Sequence, residues 1–387
     1  MEKHRGSAEH FVALDSLRGV SASIVVLFHV EGDAAIKSIP VITNGFLFVD
    51  FFFVLSGFVI AASYQNKIIE GYSISKFVLL RLGRLYPLHL FMLAAYLVIA
   101  TAKYFSGSAS NYTPLQFFSS VLLLQAWEPH SGTDLNPWNP PSWSISAEFW
   151  TYLIFAMSCF VFKRRSLTAF SALIILSIPI LLFASDRAMN VCFSGSGIAR
   201  CVYGFSFGVI AYSIWQTTWL ASIMKTWGLA TIAEAACIAA SLTIVAVTGS
   251  SKFGLFCPVV FSATVVVFAY QAGAISRLLL TSPFVLIGTL SYSIYMTHEF
   301  VFARFCNVLA ALAAKTGLPI LIGNDGFSVY NVAGWHGFSD VVALTFYATV
   351  LATSYATYRL VEDPMRAWSR KAVSALGSRT KSVSAAA

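Results

Sequence analysis

The sequence predicts an all-α, polytopic transmembrane helical bundle of about ten spans, with both termini cytoplasmic. Three observations predict it: the composition, the length of the apolar runs, and the placement of the basic residues.

Of 387 residues, 57% are apolar or aromatic and only 11% are charged, and the mean hydropathy is +0.73. Soluble domains carry about 25% charged residues. A chain this depleted cannot coat a globule with polar surface, so lipid must be part of its solvent. The 33 Phe, 16 Tyr and 9 Trp suit lipid-facing walls edged by aromatic belts.

Apolar runs fall at 12–30, 45–64, 85–102, 143–162, 166–184, 198–216, 227–248, 253–270, 284–314 and 338–361. Each is near the ~20 residues a spanning helix needs. The run 115–127 is too short and reads as a re-entrant or interfacial helix.

With the N-terminus placed inside, the inner segments collect seventeen of the 25 basic residues and the outer segments six, Arg200 among the latter. That asymmetry is the positive-inside rule, and it sets the orientation. The net charge of +8 is then a matter of topology, not a surface for nucleic acid. Asp15 and Arg18 interrupt the first run and no A-x-A-like site follows, so it reads as a retained helix rather than a signal peptide. The six cysteines show no CxxC and no metal spacing, and read as apolar packing residues. No metal site is expected, and GxSxG, P-loop, HExxH and dinucleotide patterns are missing.

Residues 1–368 read as one membrane domain. Residues 369–387, rich in Ser, Ala and basic side chains, read as a disordered cytoplasmic tail. The longest outer connection, 103–142, ends in the turn-rich EPHSGTDLNPWNPPSW. No internal repeat is visible, which counts against an inverted-repeat transporter.

An ionisable side chain inside a span costs several kcal/mol and marks function by default. In LDSLRGVSASIVVLFHV, Asp15, Arg18 and His29 share one helical stripe, with Arg18 and His29 within about 20° of each other. They lie about 16 Å apart along the axis, suited to an elongated ligand. The bland reading is an Asp15–Arg18 ion pair with His29 merely wet. Gly19, Ser21, Ala22 and Ser23 beside them allow close helix packing.

In DFFFVLSGFVI, Asp50 sits near the outer end and Ser56-Gly57 at mid-membrane, a step that serves packing as readily as a ligand. In RLGRLYPLHL, Arg81 and Arg84 share a face by their i, i+3 spacing and form either two forks for phosphates or simple cytoplasmic anchors. Glu148, in PSWSISAEFWTYL, is set to orient His29 as a general base, or to hydrogen-bond Trp and Tyr groups. In LSYSIYMTHEF, Ser291, Tyr295 and His298 line one polar stripe, and His298-Glu299 is a second ionisable pair with a binding or a structural role.

These segments, with VEDPMR near the end, occur in the order found in the acyltransferase-3 family, which the chain resembles over about 11–368. The family comprises bacterial integral-membrane O-acyltransferases. The resemblance implies ten or so helices in the inner membrane and acetyl-CoA or another acyl-CoA as donor, with no permanently bound cofactor. It implies that Arg18/His29 and Arg81/Arg84 are essential. Many relatives carry an SGNH-type domain, and the chain ends too soon for one. It is therefore expected to act alone or to pass its acyl group to a separate periplasmic protein.

The combined expectation places Asp15, Arg18, His29 and Glu148 in catalysis, and Arg81, Arg84, Arg18, Ser56 and Gly57 around acyl-CoA. His298, Tyr295, Trp143 and Asp50 would form an acceptor or secondary site for a surface carbohydrate or similar hydroxyl compound. The alternative from another class is a carrier or flippase whose intramembrane charges line a substrate path.

Overall fold

The computed structural model describes residues 11–107, 112–127, 137–183, 189, 196–317, 320–322, 328–331 and 337–384. Its frame is ten long helices: α1 (Val12–Phe28), α2 (Phe48–Ile69), α3 (Ile74–Phe105), α4 (Ser142–Phe162), α5 (Ser166–Phe183), α6 (Ser196–Trp215), α7 (Trp227–Thr248), α8 (Cys257–Ala269), α9 (Ser282–Thr316) and α10 (Phe338–Thr357). They fall on the ten apolar runs.

Among the described residues, seven stretches are long and apolar enough to cross a membrane. One of them, Ser142–Phe183, holds both α4 and α5. Its 42 residues would reach about 63 Å if straight, twice a hydrocarbon core of about 30 Å. The break is the Lys163–Arg165 turn, where Lys163 takes a left-handed φ of 48°. α1 falls outside the seven because its 17 residues are too few, and α9 because its charged and polar stripe dilutes its apolar character.

Those two helices pack against each other in the interior, and the reason is local. A Cβ on Gly19 would stand 2.5 Å from the backbone of Gly288, and one on Gly288 would stand 2.6 Å from Asp15 O. Only two glycines allow that approach. α2 and α6 interlock in the same way. A Cβ on Gly57 would meet Phe205 O at 2.0 Å, and one on Gly208 would meet Val54 O at 2.0 Å. Gly57 is therefore a packing residue between helices, and its neighbour Ser56 is the one that lines a cavity.

The first turn of α1 lacks a side-chain cap of its own, and its Ala13 N–H is taken by Gln271 Oε1 at 3.1 Å. Ser16 donates to Leu279 O at 2.7 Å. The short 115–127 run is an eight-residue helix, Pro114–Val121, opened by a Thr113/Gln116 capping box. It is tied to α3 by His89 Nε2 against Ser120 O at 2.8 Å.

Two smaller features complete the helical bundle. A small sheet joins Glu31–Gly32 (β1), Ile320–Ile322 (β2) and Ser328–Asn331 (β3), with β3 central, parallel to β1 and antiparallel to β2. After α10, one π turn at Tyr358–Glu362 leads into α11 (Asp363–Ser384), so a helix occupies most of the segment expected to be disordered. Past Pro364 that segment has no further proline, and its Ala, Arg and Lys residues favour helix.

Candidate functional site

Three adjoining cavities run along the α1–α9 seam. The first, about 350 Å³, is bounded by Asp15, Arg18, Arg84, Thr289, Tyr358 and Arg366. The second, about 80 Å³, shares Arg18 and Arg84 with it and adds Ser56, Glu148, Ser291 and Tyr295. The third, about 180 Å³, shares Tyr295 and holds His29, His298, Trp143 and Arg200. A wide chamber, a waist and a second chamber thus follow the Arg18-to-His29 stripe of α1.

The arginine end comes first. Arg18 pairs with Asp15 at 2.8 Å, and its Nε donates to Ser291 on α9 at 2.8 Å. Both side chains remain partly exposed to the chamber, so the ion pair exists without closing the site. Arg84 has no hydrogen bond or ion pair to any described residue, although it lines both chambers. Arg366 reaches Glu362 at 3.1 Å. Glu362 also accepts from Ser293 at 2.8 Å and is held by the π turn, a distortion frequent at functional sites.

Arg81 does not share this chamber with Arg84. Its guanidinium lies over the Tyr64 ring, 5.0 Å from the centroid, and Nη2 reaches Tyr64 Oη at 3.3 Å. The two arginines share a helical face, but Tyr64 on α2 draws Arg81 aside. Arg18 and Arg366 are the neighbours Arg84 has instead. Arg366 was not singled out from the sequence, although VEDPMR carried it.

At the waist, Glu148 accepts from Ser56 at 2.5 Å and from the Tyr152 hydroxyl, a short contact. The hydrogen-bonded reading of Glu148 is the one realised, and the expected contact with His29 is not. Glu148 shares the waist with Arg18 and Arg84, whereas His29 caps the far end of α1. Tyr295 accepts from Ser144 at 3.0 Å and lines both waist and inner chamber.

The inner chamber holds the histidines. His29 Nδ1 lies 2.8 Å from Val25 O, one turn back on α1. A carbonyl only accepts, so Nδ1 carries a proton, and Nε2 is the nitrogen left to face the chamber. That Nε2 is 3.1 Å from Glu299 Oε1 on α9. His298 repeats the arrangement: Nδ1 is 2.6 Å from Tyr295 O, while Nε2 is buried with no partner. The two rings stand 4.7 Å apart. The carboxylate facing His29 is therefore Glu299, carried there because the glycine contact presses α9 onto α1. The sequence signal was the His298-Glu299 pair itself.

Asp50 lies outside the chambers. It forms a two-pronged pair with Arg200 at 2.9 and 2.8 Å, both side chains fully buried, and Arg200 also donates to Phe46 O at 3.1 Å. Trp143 stacks over that guanidinium at 5.5 Å. Arg200 is thus a buried residue of α6, not a loop charge, and Asp50 is its counterion. Such a pair needs this geometry to offset desolvation.

The fold and the cavities define an integral-membrane helical protein with a polar path along its interior seam. The chain belongs to the acyltransferase-3 family, whose profile, described as an acyltransferase domain, matches residues 11–357. Acyltransferase MdmB of Streptomyces mycarofaciens is 32% identical over 154 residues, 38% of either chain. Protein 2 in picA locus of Rhizobium radiobacter is 42% identical over 91 residues, 22% of this chain and 44% of that protein. The matches thus span less than half the length of these relatives. No solved structure matches the chain.

Proposed function

We propose that the protein is a bacterial inner-membrane O-acyltransferase. It moves an acyl group, acetyl in the simplest case, from coenzyme A to a hydroxyl of a surface carbohydrate or similar acceptor. The observation that carries this reading is the arginine chamber. Arg18, Arg84 and Arg366 converge on one cavity, and Arg84 makes no hydrogen bond or ion pair with a described residue. A guanidinium inside a membrane protein with its donors unengaged is costly unless a ligand accepts from them, and the phosphates of CoA are such a ligand.

With both termini and this chamber on the cytoplasmic side, the pantetheine arm runs through the waist past Ser56 and Tyr295. Its thioester reaches the inner chamber, about 16 Å along α1. His29 Nε2 takes the proton of the acceptor hydroxyl as the oxygen attacks the thioester carbonyl. The new C–O bond forms, the C–S bond breaks, and the CoA thiolate leaves to be protonated in turn. Glu299 stabilises the imidazolium formed on His29, and Val25 O fixes its tautomer. The relative named as an acyltransferase supports the reaction class.

A carrier would use the same row of cavities, and one experiment separates the two. Purified protein in nanodiscs is given acetyl-CoA and an envelope extract as acceptor source. Stoichiometric release of free CoA thiol with acylated product is expected, lost in Arg84→Ala. Binding or movement of substrate without thiol release would overturn the enzyme reading.

A further inference from the structure

We propose that His29, His298 and Glu299 form a transition-metal site of the zinc class, and that its occupation silences acyl transfer.

The ligating atoms of these three residues all lie within 4.8 Å of one another. Each imidazole is held as a metal-ligating histidine is held. The Nδ1–H donates to a backbone carbonyl, Val25 O for His29 and Tyr295 O for His298, which turns the Nε2 lone pairs inward. With the Nδ1 positions so engaged, the two Nε2 atoms and the Glu299 carboxylate are the atoms left to share a proton or a cation. His298 Nε2 is fully buried and unpartnered, which is costly unless something positive sits there.

A proton shared between His29 and Glu299 leaves His298 unsatisfied, whereas one divalent cation satisfies all three. Two ligands on a tetrahedral zinc with bonds of about 2.0–2.1 Å stand about 3.3 Å apart. His29 Nε2 and Glu299 Oε1 are already at 3.1 Å. Two histidines and one glutamate are a known zinc set, and a fourth position would open onto the inner chamber.

The consequence for activity rests on the reading of His29 as the base. The lone pair that takes the acceptor proton is the one the metal would occupy, so the two uses exclude each other. Metal would act as a reversible brake on this chamber and leave donor binding at the arginine chamber untouched.

The test uses the full chain without a histidine tag, stripped with chelator and reconstituted in nanodiscs. Zn²⁺ binding is followed by calorimetry, and Co²⁺ by its visible absorption, so that binding is read independently of catalysis. One ion per chain is expected, with affinity at least tenfold weaker in His298→Gln and in Glu299→Gln. CoA release by the wild type should fall at least tenfold in step with Zn²⁺ occupancy and return with EDTA. In any variant with residual activity, the Zn²⁺ concentration for half-inhibition should rise at least tenfold. Failure to bind Zn²⁺, or binding unchanged in both variants, would overturn the site. Site-specific binding that leaves CoA release unchanged or raises it, or activity that is lost on stripping and restored by Zn²⁺, would overturn the brake, whereas no CoA release with or without metal would overturn the acyltransferase reading on which the brake rests.

Discussion

Replacing Glu299 by Gln keeps the side-chain shape and removes one charge 3.1 Å from His29 Nε2. At an effective dielectric of 20, a unit pair at that distance interacts by about 5 kcal/mol. The two side chains are 29% and 15% exposed, so solvent screens part of it, and a net of about 2–3 kcal/mol is reasonable. That energy acts on the imidazolium formed as the acceptor is deprotonated, hence on the transition state. With 1.36 kcal/mol per tenfold, kcat should fall about 30- to 150-fold. The donor KM should change little, because the arginine chamber lies at the other end of α1. The assay is CoA thiol release in nanodiscs under saturating acetyl-CoA, with the Glu148→Gln variant measured beside it. If Glu299→Gln stayed within threefold of wild type while Glu148→Gln collapsed, the waist carboxylate would be the one that serves catalysis. The His29–Glu299 argument would then be wrong.

His29→Ala should lower transfer by at least 10²–10⁴-fold in a protein that still inserts and folds; activity within threefold of wild type would shift the base to His298. Arg84→Lys should raise the acyl-CoA KM about tenfold, since a charge-assisted contact is worth roughly 1.5–3 kcal/mol and Lys loses the fork. Arg81→Lys, off the chamber, should move it less than threefold, and steady-state kinetics with varied donor decides between them. Asp50→Asn leaves Arg200 buried without its counterion and should cost about 3–5 kcal/mol, seen as a lower unfolding midpoint in detergent. For topology, a cysteine at the exposed Ser73 should react with an impermeant thiol reagent only after lysis; the complementary position Ser131 lies outside the described residues.

What the sequence made legible is what one helix decides by itself. Span positions follow from apolar length, and the Asp15–Arg18–His29 stripe follows from 100° per residue; the structure carries both. What it left dark is which helix faces which. The rule that a buried carboxylate needs a partner held for Glu148, Asp50 and Glu299 alike. The partners were Ser56 and Tyr152, Arg200, and His29, each brought by another helix. Glu148 and His29 are residue types that pair in catalysis, but residue type does not choose a neighbour. The Gly19–Gly288 contact does, and it is recognisable only once both backbones are in place.

The same reasoning separates Arg81 from Arg84. Spacing puts them on one face of α3, yet a face spans a wide arc, and the Tyr64 ring captures one edge of it. The chamber instead takes Arg18 from α1, Arg84 from α3 and Arg366 from α11, three side chains separated by most of the chain. Three guanidiniums in one cavity repel, so each needs an anchor that the bundle supplies. Asp15 holds the first and Glu362 the third by ion pairs, while the second forms no ion pair among the described residues. A cavity balanced in this way gains most from a ligand carrying more than one negative charge. A linear pair of arginines could hint at such a ligand, but only the assembled helices create the site for it.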